Sequence, residues 1–301
     1  MARMEQASAP KIVPMGNATR GWINGFIGVV IFSGSLPATR VAVLEFEPVF
    51  LTVARATLAG VLALCVLLLF KEQRPARHQL LSLLIVAIGV VVGFPLLTAL
   101  ALQHVTSAHS IVFLGLLPLA TAIFGVLRGG ERPRAAFWLF SVLGSLTVVG
   151  FALSQGLKAS ATGDVQMLLA ILVCGLGYAE GARLSRTLGG WQVISWALVL
   201  SLPSMAVLSV LLSPPSFSSI SPPAWLSLGY VSLFSMLIGF VFWYRGLAQG
   251  GIAAVGQLQL LQPFFGLALA ATLLHEQVSA GMLGVTVAVI LCVVCARKFS
   301  R

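Results

Sequence analysis

Ten apolar runs, each near the length of a membrane-crossing helix, follow one another along this chain with short polar gaps between them. They cover residues 21–43, 48–70, 80–103, 107–127, 135–155, 165–187, 193–212, 224–248, 252–275 and 280–296. In hydrocarbon a backbone must satisfy its own polar groups, and a helix does so within one segment. The pattern therefore predicts an all-α membrane protein with ten transmembrane helices. Composition agrees, with 58% hydrophobic and 9% charged residues, against about 45–50% and about 25% in soluble domains. A soluble enzyme, a nucleic-acid binder and a secreted disulfide scaffold are excluded together. Cys65, Cys174, Cys292 and Cys295 lie inside apolar runs and read as small hydrophobes. No metal and no cofactor is expected. The first run is too long for the apolar core of a signal peptide and is expected to be retained.

The net charge of +10 acquires a meaning once the basic residues are placed. With the N-terminus in the cytoplasm, the inner side receives 15 of the 18 Lys and Arg. Among them are Arg20, the Lys71–Arg77 loop, Arg128–Arg134, Arg183, Arg186, Arg245 and Arg297–Lys298. Arg40 and Lys158 fall outside, and Arg55 falls within the second run. Such a bias is the positive-inside signature. It predicts ten crossings of an inner (plasma) membrane, both termini cytoplasmic and no nucleic-acid partner. Trp22, Trp138, Trp191 and Trp225 stand at run starts, as interfacial belt residues do. Trp243-Tyr244 reads as a belt anchor near the inner end of the eighth run, with stacking on an aromatic substrate as the alternative.

An offset of 145–146 residues aligns the two halves of the chain. Gly93-Phe94 falls on Gly239-Phe240, Pro118 on Pro263, and Glu131 on Glu276. This predicts a cytoplasmic tail, 1–20, and two repeats, 21–155 and 165–297, of five helices each. Five is odd, so the second repeat must cross the membrane in the opposite sense to the first. Two inverted five-helix repeats can exchange conformations about the midplane, a physical route to alternating access.

On these residues the chain resembles the drug/metabolite transporter superfamily, specifically its ten-helix members built from two EamA domains. The resemblance rests on the stretch Phe32 to Arg40, on Arg55, and on the pairs Pro118…Glu131 and Pro263…Glu276. Phe32 and Ser35 stand where the family has Trp and Asn. Within the superfamily the chain is most similar to YddG-type exporters, which implies efflux of aromatic and other amino acids.

Several residues are candidates for contact with such a substrate. Arg55 lies about 10 Å inside the second run at 1.5 Å per residue. It is either a cation for a substrate carboxylate or a clamp on backbone carbonyls, or on Glu45 or Glu47. Glu180 and Arg183 share a helix face three residues apart, as an ion pair or with Glu180 as a proton-coupling group. Ser33, Ser35, His109, Ser110, Tyr178, Tyr244, Gln257, Gln259 and Gln262 supply polar groups at membrane depth; for the glutamines, interhelical hydrogen bonding is the alternative. Pro37, Pro95, Pro118 and Pro263 free carbonyls one turn earlier and are candidate kinks. The site should draw on the first, third, fourth, sixth, eighth and ninth runs.

The sequence carries no G-x-x-x-x-G-K-[ST] loop for ATP. Transport driven by a gradient is therefore expected, by a monomer whose partners are amino acids and membrane lipids. A carrier for drugs or other small metabolites, and a membrane-embedded receptor or scaffold, are the competing readings.

Overall fold

In a computed structural model of the chain, the described residues are 16–105, 110, 113–154, 160–262, 264–266, 268–269 and 280–300. Every regular element among them is helical. The first half contains α1 (Asn17–Ser33), α2 (Ser35–Ala42), α3 (Pro48–Leu69), α4 (Leu80–Val86), α5 (Phe94–His104), α6 (Leu117–Gly129) and α7 (Ala135–Ser154). The second half contains α8 (Ala161–Leu188), α9 (Gly190–Leu211), α10 (Pro222–Tyr230), α11 (Gly239–Gly250), α12 (Ile252–Gly256) and α13 (Ala280–Lys298). Among the described residues, six helical stretches are long and apolar enough to cross a membrane. These are Asn17–Ala42, Pro48–Leu69, Arg77–His104, Ala161–Leu188, Gly190–Leu211 and Pro222–Gly250. Leu117–Gly129 and Ala135–Thr147 are shorter apolar helices. Large apolar side chains such as Leu68, Leu69, Leu81 and Leu226 cover the outer surface at 67–76% exposure, an arrangement suited to lipid and not to water.

Four breaks interrupt these helices. A π-helical segment, Ala87–Gly93, separates α4 from α5, and another, Val231–Ile238, separates α10 from α11. A turn at Gly115-Leu116 precedes α6, and a 3-10 segment, Gln257–Leu261, follows α12. Within each pair the two breaks lie one sequence repeat apart. Pro95 and Pro118 stand in the first turns of α5 and α6, just past their breaks, where a missing N–H does least harm. Pro263 lies outside the described residues, as do His109 and Glu276.

The first stretch also breaks, at Gly34 between α1 and α2. Pro37 has no N–H to offer the carbonyl of Ser33, four residues back. Neighbouring side chains meet the carbonyls beside the break. The Tyr230 hydroxyl donates to Ile31 O, and Gln262 Nε2 donates to Phe32 O at 3.3 Å.

Packing joins the halves throughout. α1 lies along α11, α3 along α9, α5 and α6 along α8, and α7 along α13. Glycines make the first of these approaches possible, and also that of the π-helical segment Ala87–Gly93 to α8. A Cβ on Gly246 would sit 2.5 Å from Gly25 N, and one on Gly21 would sit 2.4 Å from Gly250 N. Likewise a Cβ on Gly89 would lie 2.9 Å from Gly177 Cα. Small residues of this kind let helices pack by dispersion where lipid supplies no hydrophobic drive. Gly246→Ala is expected to lose about 1–3 kcal/mol, the usual cost of overpacking. Gly229→Ala, with nothing within 4 Å of the added Cβ, should be nearly neutral. Unfolding midpoints of the two variants in detergent make the comparison.

Candidate functional site

The breaks surround one internal cavity. α2 and the end of α1 contribute Phe32, Ser35, Leu36 and Thr39, and α3 contributes Arg55. The third apolar run adds Val90, Phe94, Pro95 and Thr98, and the fourth run adds Leu114 and Leu117. Tyr178 from α8, Ser235 and Phe240 from the eighth run, and Gln262 complete the wall. The atom-free space is about 510 Å³ with its mouth included. The space inside it that is free for a bound molecule is only about 30 Å³, so an amino acid could enter only if the walls moved apart.

Arg55 is 6% exposed. Its Nη2 donates to Val231 O at 3.2 Å and to Ser235 Oγ at 3.4 Å, at the π-helical segment Val231–Ile238. Ser35 Oγ donates to Ser235 Oγ at 2.8 Å, so three cavity residues form one chain of hydrogen bonds. Arg55 Nε has no partner among the described residues, and no carboxylate there lies within ion-pairing distance of the guanidinium. The two glutamates considered as partners are engaged elsewhere. Glu45 accepts from the Ser221 N–H at 2.6 Å and from its hydroxyl, which holds its carboxyl below the usual carboxylate range. Glu47 caps α3 through Phe50 N at 2.8 Å.

Aromatic rings form another part of the wall. Phe32 and Phe240 have centroids 5.0 Å apart, and Tyr178 lies 5.8 Å from Phe240. Trp243 backs this wall, 5.4 Å from Tyr178 and 6.2 Å from Phe32. The belt reading of Trp243-Tyr244 is overturned, because both side chains are 0% exposed. Tyr244 donates to Gly177 O at 3.1 Å and does not border the cavity. Helix α11 turns this face toward α1 and α8 rather than toward the headgroups.

The other candidates divide. Ser35, Arg55, Tyr178 and Gln262 meet at the cavity. Ser33 is buried and spends its hydroxyl on Val29 O at 2.7 Å. Gln257 and Gln259 are buried behind the wall, and their amides make no hydrogen bond among the described residues. Gln259 stands beside Tyr178. Ser110 is buried and off the cavity lining.

Carboxylates clamp the basic end of the bundle. Glu180, 0% exposed, accepts from Arg128 Nε of α6 at 2.8 Å and from Arg183 on its own helix. Arg183 also reaches Ser82 of α4 at 3.1 Å. Glu131, just past α6, accepts from Ile252 N at 2.6 Å and Ala253 N at 2.7 Å, capping α12. Arg186 of α8 joins it at 3.3 Å.

The sequence pattern of the EamA-like transporter family matches residues 19–153 and again residues 161–297. The chain belongs to the EamA-like transporter family. This multi-pass membrane transporter is 71% identical over 287 residues to "Uncharacterized transporter YdeK" of Bacillus subtilis (strain 168), covering 95% of the chain and 100% of that relative. It is 24% identical over 235 residues to "Uncharacterized transporter YyaM" of the same organism, covering 75% of the chain and 77% of that relative. Among solved structures, one titled "Crystal structure of protein" superposes with a TM-score of 0.73 at 18% identity, covering 92% of the chain and 97% of its counterpart. That likeness is one of fold.

Sequence reasoning did not find Ser235, Thr39 and Thr98 as cavity residues of this EamA-like transporter, because a lone hydroxyl in an apolar run carries no signal of its direction. Nor did it pair Arg128 with Glu180, which are 52 residues apart. Glu131 stood out only as half of a Pro…Glu pair, and its structural work is to cap a helix of the other half. Glu131→Ala is therefore expected to cost about 1–2 kcal/mol, as for loss of an N-cap. Faster hydrogen exchange at the Ile252 and Ala253 amides would register it, whereas unchanged protection would mean the cap is dispensable.

Proposed function

We propose that this transporter is a ten-helix secondary carrier that exports amino acids, aromatic ones included, across the inner membrane by alternating access. Residues 1–20 form a cytoplasmic tail, and 21–155 and 165–297 form two inverted repeats. The packing supports this arrangement, because exchanging the halves leaves the set of main contacts almost unchanged. The second run pairs with the seventh, the fifth with the tenth, the first with the eighth and the third with the sixth. The recurrence of both kinds of break at the repeat offset supports it too. The inner side is the closed side, held by the Glu180 and Glu131 clamps. Both termini are cytoplasmic, and the carrier acts as a monomer.

The observation that carries the substrate class is Arg55, a buried cation with no carboxylate partner among the described residues, facing a cavity walled by Phe32, Tyr178 and Phe240. A lone charge at membrane depth is costly and marks a substrate path or a partner. A substrate carboxylate would pair with it, and an aromatic side chain would find ring contacts worth about 0.5–1.5 kcal/mol each. Ser35, Tyr178, Ser235 and Gln262 would orient the amino group. Drugs or other small metabolites are the second reading, supported by the apolar share of the wall.

Counterflow of labelled phenylalanine and other amino acids in proteoliposomes tests the proposal. Saturable, trans-stimulated exchange is expected. Absence of exchange for every amino acid, with exchange of uncharged drugs, would move the assignment to the second reading. Absence of any flux would favour a receptor or scaffold.

A further inference from the structure

A second, unrelated site lies on the lipid-facing side of the bundle, between α3, α9 and α11. A groove there is lined by Val66, Phe70, Trp191, Leu237, Ile238 and Val241, with Ser195 at its floor. Its atom-free space is about 830 Å³, open mouth included, and its walls are almost wholly apolar. Toward the basic end it runs into a more polar pocket, with an atom-free space of about 730 Å³, open mouth included, which shares Trp191 and Val241 with it. The pocket is bounded by Arg245, Ser185, Gln192, Gln249 and the backbone of Gly189-Gly190.

We infer that the two together form a site for one anionic phospholipid of the inner leaflet, with an acyl chain in the groove and the phosphate beside Arg245. A crevice on the lipid face cannot stay dry and empty, since its lining would forfeit dispersion contacts. An acyl chain is the apolar molecule at hand in a bilayer. The adjoining pocket supplies what a headgroup needs at the same depth. Arg245 is exposed and, among the described residues, unpaired, whereas Arg128, Arg183 and Arg186 are each committed to a glutamate. Basic pockets between transmembrane helices on the cytoplasmic side bind anionic headgroups in this way. α9 starts at Gly190 without a side-chain cap, so its first-turn N–H groups add donors to the same pocket. Glu72 accepts from Gln192 Nε2 at 3.3 Å without lining the pocket, whose one charged lining residue, among the described residues, is Arg245. Trp191 stands at the junction, its ring 5.7 Å from Phe70, at the level where an amphipathic ring meets headgroups.

The site is independent of the substrate cavity, so the test reads lipid and not transport. The full-length protein in mild detergent is offered equal amounts of phosphatidylglycerol and phosphatidylcholine with the same acyl chains, and the retained lipid is weighed by native mass spectrometry. One phosphatidylglycerol should be retained with about fivefold preference, the value of one interfacial cation. Arg245→Gln should bring the preference to about unity without loss of monodispersity. Ile238→Trp, or separately Val66→Trp, fills the groove and should release both lipids while leaving Arg245 in place. Equal retention of the two lipids by the unaltered protein, or an undiminished preference in Arg245→Gln, would overturn the inference. Inorganic phosphate supplies the remaining arm. Should phosphate alone displace the phosphatidylglycerol while both tryptophan variants still bind it, the pocket holds free phosphate and not a lipid.

Discussion

Arg55→Gln is expected to weaken the binding of amino acids by about a hundredfold or more while leaving the empty protein as stable as before, or more so. Breaking a buried ion pair by removing one partner costs about 3–5 kcal/mol, and each 1.4 kcal/mol is a factor of ten in affinity. In the bound state that partner would be the substrate carboxylate. In the empty state the guanidinium has, among the described residues, only Val231 O and Ser235 Oγ to replace its water. Removing an unpaired buried charge relieves a cost, so the unfolding midpoint should hold or rise. A purely structural clamp predicts the reverse, a lower midpoint and an intact affinity. A thermal-shift titration separates the two, because a ligand that binds only the folded state raises its stability. Phenylalaninamide, which lacks the carboxylate, should bind the unaltered protein weakly and lose little further in Arg55→Gln. Arg55→Lys keeps the charge but not the planar fork of donors, and should fall between.

The second large effect is expected at Glu180. Glu180→Gln leaves Arg128 and Arg183 without their shared carboxylate at the basic end of the bundle. The acid is fully buried, but the two arginine side chains are 41% and 46% exposed. Water therefore screens part of the loss, and about 2–3 kcal/mol is expected in place of the full cost of a buried pair. A double-mutant cycle with Arg128→Gln should return a coupling of about 1–2 kcal/mol in unfolding free energy. A coupling near zero would mean that α6 and α8 are held by packing alone. If the clamp closes the inner side, the same substitution also raises the population of the inward-open form. Labelling of a cysteine placed at Thr98 from the cytoplasmic side should then speed up relative to the Thr98→Cys parent.

Much of the fold was legible because helix length in a membrane is set by the bilayer. The run 48–70 became Pro48–Leu69, and the run 193–212 became Gly190–Leu211. The two runs at 107–127 and 252–275 were less faithful, since their breaks at Gly115-Leu116 and Gln257–Leu261 depend on neighbouring helices. Pro37, Pro95 and Pro118 marked where helices restart, but neither π-helical segment has a sequence signal, because i→i+5 pairing is chosen by packing. The polar residues were found by type and misjudged by direction. Trp243 and Tyr244 look like interfacial anchors near the end of a run, yet α11 buries both. Gln257 and Gln262 are alike in sequence, and only Gln262 reaches the cavity and a carbonyl freed by the break at Gly34.

By itself the sequence determined the solvent, the helical class and the short inventory of charges at membrane depth. These follow from local quantities, the free energy of burying apolar side chains and the cost of an unpaired charge in lipid. Only the tertiary structure decided which of those charges is satisfied. Glu180 finds Arg128 from another helix, whereas Arg55 meets no carboxylate among the described residues and faces the cavity. A charge's cost is written into its residue type, but its partner is set by how helices distant in sequence pack.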